Sequence, residues 1–155
     1  MTAFADASAL VTLYADEPGR PVVAGRDVLV VSALSRVEVP SALWRKHRMG
    51  ELSAGRARVL VDDFLGAWDS TAEDEADAGD VTGTPAYLSV PASTAVLDAA
   101  VRLCAVHGLR AYDAVQLASA TAAREVDDDI ATFLTFDQSL ARAAAAEGFG
   151  VPESG

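Results

Sequence analysis

The chain has 155 residues, the length of a single ordinary domain that can bury a hydrophobic core. Apolar residues make up 51% of it, which excludes extensive disorder, and no apolar run has the length that spans a bilayer. The net charge of −11 argues against binding nucleic acid through overall charge, because phosphate contacts normally come from Lys and Arg.

Two features concern the compartment. Residues 1–6 lack the basic region of a secretion signal and reach an aspartate at once. The single cysteine, Cys104, cannot form an internal disulfide. The sequence therefore predicts a cytoplasmic protein without a membrane segment.

Short apolar runs alternate with amphipathic segments along the chain, and loops rich in Pro, Gly or acidic residues separate them. In chain order we predict a strand at Ala3–Asp6, a helix at Ala7–Ala15, a strand at Val28–Ser32, helices at Leu34–Met49 and Ser53–Trp68, a strand at Ala86–Val90, helices at Thr94–His107 and Tyr112–Arg124, a strand at Ala131–Phe136, a helix at Gln138–Glu147 and a short strand at Phe149–Val151.

This alternation indicates an α/β fold with a mainly parallel sheet. Residues 1–151 are predicted to form one domain, and residues 152–155 a short tail. Thr71–Pro85 is predicted to be an exposed loop, because it is acidic and has almost no bulky apolar residue. Gly108 is placed to end its helix as a C-terminal cap.

Two of four candidate acidic residues stand where parallel-sheet proteins carry their sites, beyond the carboxyl ends of strands. Asp6 ends the first predicted strand, and Asp137 follows the strand that ends at Phe136. Glu38 lies in the helix after the second strand, and Asp113 opens a later helix. The topology would allow these four carboxylates to converge on one pocket.

Carboxylates packed together repel, and a divalent cation removes that repulsion. A set of oxygen ligands without a His or Cys cluster suits Mg²⁺ or Mn²⁺. The usual chemistry of such a site is phosphoryl transfer, in which metal ions activate water and neutralise charge on the phosphate. The metal would also supply positive charge that the chain lacks.

Each acid also has a simpler interpretation. Asp6, Asp113 and Asp137 stand near helix starts, where aspartate is favoured as a cap and by the helix dipole. Glu38 could be an ordinary solvated helical residue. The acidic run Asp127–Asp129 precedes a strand, so it is interpreted as a solvated turn at the opposite end of the sheet.

The segments around the acids carry a resemblance. Phe4–Val11, Ser32–Val39, Leu109–Ala118 and Leu134–Leu140 resemble, in the family's order, the segments of PIN-domain nucleases, and among these the VapC-type toxins of bacterial toxin–antitoxin pairs. Each segment contains one of the four acids.

The resemblance implies a three-layer α/β/α sandwich and Mg²⁺- or Mn²⁺-dependent hydrolysis of RNA that leaves a 3′-hydroxyl. It implies that Asp6, Glu38, Asp113 and the more variable Asp137 are the metal-binding and catalytic acids. Ser8 and Thr135 match positions that support these acids. The family would usually form a homodimer that a cognate antitoxin inhibits.

A basic cluster in the second and third long helices could contact RNA backbone or an acidic antitoxin segment, or simply be a solvated helix face. Its members are Arg45, Lys46, Arg48, Arg56 and Arg58.

Two other functions are considered. A PIN-like binding module would dock an antitoxin and help it sit on promoter DNA without significant cleavage. A phosphorelay receiver would need a lysine after a late strand, whereas the only lysine is Lys46, in an early helix.

Overall fold

The computed structural model of the chain describes residues 2–73 and 85–153. Within these ranges the chain alternates strands and helices, as the sequence predicts. The elements are β1 (Ala3–Ala5), α1 (Ala7–Tyr14), α2 (Arg20–Ala24), β2 (Val28–Ser32), α3 (Ser35–Arg48), α4 (Ala54–Glu73), β3 (Ala86–Val90), α5 (Thr94–His107), α6 (Ala111–Val126), β4 (Phe133–Leu134) and α7 (Gln138–Ala146).

The strands form one parallel sheet in the order β3-β2-β1-β4. Phe4 of β1 pairs with Val30 of β2 on one side and with Phe133 of β4 on the other. The chain therefore leaves β1 towards β2 and β3, and returns to the other side of β1 only with β4. The gap between β1 and β4 is the topological switch point, where ligand sites form in open parallel sheets.

Helices cover both faces of the sheet, so the predicted three-layer α/β/α sandwich is confirmed. Successive strand residues point to opposite faces. Phe4 and Val30 pack into the core under α5, α6 and α7. Ala5, Leu29 and Val31 pack into the other core, with residues of α1 to α4. Both faces are thus buried, which explains why β2 is a continuous apolar run.

The predicted helix caps at the start of α4 and at the end of α5 are confirmed. The Ser53 hydroxyl accepts a hydrogen bond from the backbone N–H of Arg56 at 3.1 Å, as an N-terminal cap of α4 does. Gly108 ends α5 with a φ of +64°, a left-handed conformation that glycine adopts without a steric penalty.

Three predictions are corrected on the β4 side of the sheet and in the acidic segment. The strand predicted at Ala131–Phe136 is only Phe133–Leu134, because the residues after it turn to bond the start of α1. The strand predicted at Phe149–Val151 is a single parallel bridge from Gly150 to Thr132. Of the loop predicted at Thr71–Pro85, the first three residues continue α4, and residues 74–84 lie outside the described ranges.

The helix α2 was not predicted. Pro18 and Gly19 predict the end of the first helix, and no helix is predicted in the segment that follows, which contains Pro21. Proline is tolerated in the first turn of a helix, where its missing N–H is not needed, and here it stands at such a position.

In the part of the chain that the structure describes, no helix has both the length and the apolar character to cross a membrane.

Candidate active site

A cavity of about 710 Å³ opens at the carboxyl ends of β1 and β4, at the topological switch point. The four acids predicted from the sequence, Asp6, Glu38, Asp113 and Asp137, all line it. They come from the end of β1, from α3, from the first turn of α6 and from the start of α7. The fold thus brings together residues that are far apart in sequence.

Asp6 is the most buried of these acids, with 4% of its surface exposed. One carboxylate oxygen, Oδ1, accepts hydrogen bonds from the backbone N–H of Ala9 at 2.9 Å and from the hydroxyl of Ser8 at 2.7 Å. The other, Oδ2, accepts one from the hydroxyl of Thr135 at 2.6 Å. Burial raises the pKa of Asp6 to about 6 although these bonds lower it, and the nearby Asp113 raises it further.

Ser8 and Thr135 also join the two strand ends. The Ser8 hydroxyl oxygen accepts a hydrogen bond from the backbone N–H of Phe136 at 2.9 Å. The Thr135 hydroxyl oxygen accepts one from the backbone N–H of Asp137 at 3.1 Å. The hydroxyls that orient Asp6 are therefore themselves fixed by the segment that follows β4.

Glu38 lies in the first turn of α3. A side chain of α6, on the opposite wall of the cavity, orients it. The side-chain amide of Gln116 donates to Glu38 Oε1 at 3.2 Å and to the Ser35 hydroxyl at 3.1 Å. Gln116 is only 1% exposed, so this contact is sheltered from water. Burial raises the pKa of Glu38, and the charges of Asp6 and Asp113 raise it further.

Arg110 links the remaining two acids. Its Nε donates to Asp113 Oδ2 at 3.3 Å, and its Nη2 lies 3.7 Å from Asp137 Oδ2. The Arg110 side chain is 82% exposed, so these ion pairs contribute little to stability. Asp137 Oδ1 accepts a hydrogen bond from the backbone N–H of Leu140 at 2.8 Å and caps α7.

The simpler interpretation as helix caps is correct for two acids, yet it does not compete with a role in the cavity. Asp6 caps α1 and Asp137 caps α7, and both still line the cavity. Asp113 lies in the first turn of α6, where the residue at the cap position is Arg110.

The donor set suits a hard divalent cation. Four carboxylates line one cavity, and two of them, Asp6 and Glu38, have raised pKa values, which a bound cation would lower. Within residues 2–73 and 85–153, no three acidic, histidine or cysteine side chains already lie close enough to share one ion. The carboxylates fit Mg²⁺ or Mn²⁺ in chemistry, and binding would require side-chain rotation, for example of Asp113 away from Arg110.

Two site residues, Gln116 and Arg110, were not predicted from the sequence. Gln116 did carry a signal, because it is a polar residue on the buried face of α6 among Val115, Leu117 and Ala118. Arg110 carried none, since an exposed arginine beside a helix start is ordinary.

Of the basic cluster, Arg45 lines the acidic cavity, whereas Arg48, Arg56 and Arg58 do not. The acidic run Asp127–Asp129 is exposed and precedes β4, so it lies at the opposite end of the sheet, as predicted.

Comparisons with known proteins bear on the fold. No protein-family model and no curated protein matches the chain. A solved structure, the crystal structure of PAE2754 from Pyrobaculum aerophilum, is similar with a TM-score of 0.58 and 22% sequence identity. The similarity covers 92% of this chain and 79% of that one. The chain therefore shares the α/β/α architecture of that protein.

Proposed function

We propose that the chain is a PIN-like, divalent-metal-dependent endoribonuclease that acts in the cytoplasm as the VapC-type toxin of a toxin–antitoxin pair. One observation carries the proposal. Four acids from four distant segments line one cavity at the topological switch point of a parallel sheet. Burial, with a smaller contribution from the neighbouring acids, raises the pKa values of Asp6 and Glu38, and a bound cation would offset the cost of keeping these carboxylates charged.

Asp6, Glu38 and Asp113, with Asp137, would hold Mg²⁺ or Mn²⁺. When bound, the metal supplies a Lewis acid that neutralises phosphate charge and lowers the pKa of water. Hydrolysis breaks the bond between phosphorus and the 3′ oxygen, so that one product carries a 3′-hydroxyl and the other a 5′-phosphate.

The other side chains position this set. Ser8 and Thr135 hold the Asp6 carboxylate through both of its oxygens. Gln116 holds Glu38 from across the cavity. Arg110, which spans Asp113 and Asp137, holds these two carboxylates at the rim of the cavity.

The test is cleavage of single-stranded and hairpin RNAs by the purified protein with Mg²⁺ or Mn²⁺, and again with EDTA. Asp113→Asn should reduce cleavage by about a hundredfold or more, since it removes a charged ligand. Asp128→Asn, an equal charge change at an exposed position far from the cavity, is the matched control and should leave the rate unchanged.

Two outcomes would contradict the proposal. One is the absence of cleavage of a broad set of RNAs in either metal. The other is equal toxicity of the wild type and Asp113→Asn when each is expressed without a partner. Either would favour the PIN-like module that docks an antitoxin without cleaving.

The proposed partners follow from the same function. They are the RNA substrate, a cognate antitoxin and a second copy of the chain in a homodimer. Size measurement of the purified protein, alone and after co-expression with the product of a neighbouring small reading frame, would test the last two.

A further inference from the structure

A second cavity of about 340 Å³ adjoins the acidic one. Ser8, Ala42 and Arg45 line both, so the two cavities form one continuous groove at the carboxyl edge of the sheet. The second cavity is at the lower end of the range of about 300–1,000 Å³ that small-ligand sites occupy. It is large enough for one monomer of a polymeric substrate whose neighbouring monomer occupies the acidic cavity.

At the junction of the two cavities, Arg45 is a cation that no neighbour among the described residues neutralises. Its side chain is exposed and makes no ion pair or hydrogen bond with any residue in the described ranges. Lys46 beside it is different, because it contacts Glu17 and lies 3.2 Å from Glu51. Arg110 at the far side is already shared between two aspartates.

This difference matters for an anionic ligand. A carboxylate neighbour cancels most of the attraction that a cation exerts on a phosphate, so Lys46 and Arg110 bind an added anion less well. Arg45 offers a free planar fork of donors, the geometry that phosphate oxygens accept. It is therefore the natural phosphate contact in a groove that is otherwise acidic.

Besides Lys46 and its partners Glu17 and Glu51, the second cavity has an apolar part that includes an aromatic ring. Val11, Met49 and Phe136 line it. The backbone N–H of Phe136 donates to the Ser8 hydroxyl, which also bonds Asp6, so the backbone that carries the ring is fixed relative to the acids. Aromatic side chains of this kind stack on the bases of single-stranded RNA and tolerate any base.

We propose, resting on the ribonuclease function above, that the second cavity is the subsite for the nucleotide next to the scissile phosphodiester. Arg45 binds the neighbouring phosphate, and Phe136 with Met49 packs against the base. The substrate is then a single strand, since a base held in a duplex could not reach this wall.

The experiment measures binding separately from cleavage. Fluorescence anisotropy of a labelled single-stranded RNA is followed with Ca²⁺ in place of Mg²⁺, for wild type, Arg45→Gln and Arg48→Gln. Arg48 is the matched control, because it is exposed on the same helix and lines neither cavity.

Arg45→Gln should weaken binding about tenfold, as expected for loss of one charged hydrogen-bonded contact. It should also lower the slope of log affinity against log salt by about 0.7. Arg48→Gln should match the wild type in both measurements. In the cleavage assay Arg45→Gln should raise KM with little change in kcat, because the contact lies beside the reacting phosphate.

The results separate the two proposals. If the wild type cleaves RNA but Arg45→Gln and Arg48→Gln bind it with equal affinity, the subsite is overturned and the ribonuclease stands. If the wild type binds RNA through Arg45 but cleaves none, the ribonuclease is overturned, and the second cavity is a nucleotide-binding site without a scissile phosphodiester beside it. If Arg45→Gln loses affinity for poly-glutamate but not for RNA, the groove binds an acidic peptide and the subsite is overturned.

Discussion

Among the four acids of the cavity, Asp6 combines the deepest burial with the largest number of hydrogen bonds. Its pKa of about 6 means that the folded protein binds a proton there which the unfolded chain releases near pH 3.8. This group therefore favours the folded state below pH 3.8, and the advantage disappears as the pH rises through 6. The apo protein carries a destabilising charge at neutral pH.

We expect Asp6→Asn to remove this pH dependence in EDTA. Relative to wild type, its free energy of unfolding should rise by up to about 3 kcal/mol between about pH 4 and pH 7, at 1.36 kcal/mol per pKa unit. Urea unfolding at several pH values, with Asp128→Asn beside it, measures the difference. If the free energy of unfolding depends on pH in the same way for Asp6→Asn and wild type, burial does not raise the pKa of Asp6.

Gln116 provides a second residue-level prediction, because its amide is the hydrogen-bond donor to Glu38. In Gln116→Leu the carboxylate loses the bond that lowers its pKa, so the pKa of Glu38 should rise above its already raised value. Metal affinity should fall about tenfold or more, as for other partners that orient ligands. The measurements are the NMR titration of the Glu38 carboxyl carbon and calorimetry with Mn²⁺.

The control for Gln116→Leu is Ser119→Ala in the same helix. Ser119 is also buried, but its hydroxyl donates to Val115 O within α6 and not to a residue of the site. It should change thermal stability at most, with the pKa of Glu38 and the Mn²⁺ affinity unchanged. Equal effects of the two substitutions would mean that Gln116 acts only through the packing of α6.

Among the elements, the segment between α1 and β2 is connected to the site through one close approach. A Cβ added at Gly19 would lie 2.0 Å from the tip of the Phe136 ring. The φ of Gly19 is −75°, so alanine is compatible with the backbone and only the ring obstructs it. Phe136 follows β4 and is bonded to Ser8, so the packing of α2 is coupled to the second cavity.

We expect Gly19→Ala to displace the ring and to destabilise the fold by about 1 kcal/mol. This is the lower part of the range for overpacking, because the half-buried ring can swing towards solvent. Gly25→Ala is the matched control, since its Cβ would meet nothing nearer than a backbone oxygen at 3.5 Å. If Gly19→Ala has the same Tm as Gly25→Ala, and the NMR signals of Phe136 are unchanged, this coupling is contradicted.

The sequence predicts elements well where local chemistry determines them. The apolar run of β2, the Ser53 cap and Gly108 each carry a signal that needs no distant partner. The prediction fails where tertiary contacts decide. β4 is short because Thr135 turns its hydroxyl to Asp6, a contact across the whole chain.

At the level of the whole molecule, the site exists because of the strand order. Asp6 and Asp137 meet only because β4 returns beside β1, and no pattern in the sequence states which strand neighbours which. The resemblance of the flanking segments to PIN-domain nucleases predicted the convergence of the acids. Neither the resemblance nor the spacing predicted Gln116 opposite Glu38 or the groove at Arg45, since both depend on how α3 and α6 face each other.

The net charge of −11 gives the last prediction, because it makes the apo protein repel itself. In EDTA, raising NaCl from about 0.01 M to about 0.15 M shortens the Debye length from about 30 Å to about 8 Å, so the Tm should rise by screening alone. Wild type and Asp113→Asn should respond to NaCl by similar amounts.

Mg²⁺ or Mn²⁺ at constant ionic strength should then raise the Tm of the wild type further, but not that of Asp113→Asn. At a metal concentration of a hundred times Kd, the free energy of unfolding of the wild type should rise by about 2.7 kcal/mol. Differential scanning fluorimetry measures both series. A divalent cation that stabilises both proteins equally would be acting on surface charge, and the four carboxylates would then not form a metal site.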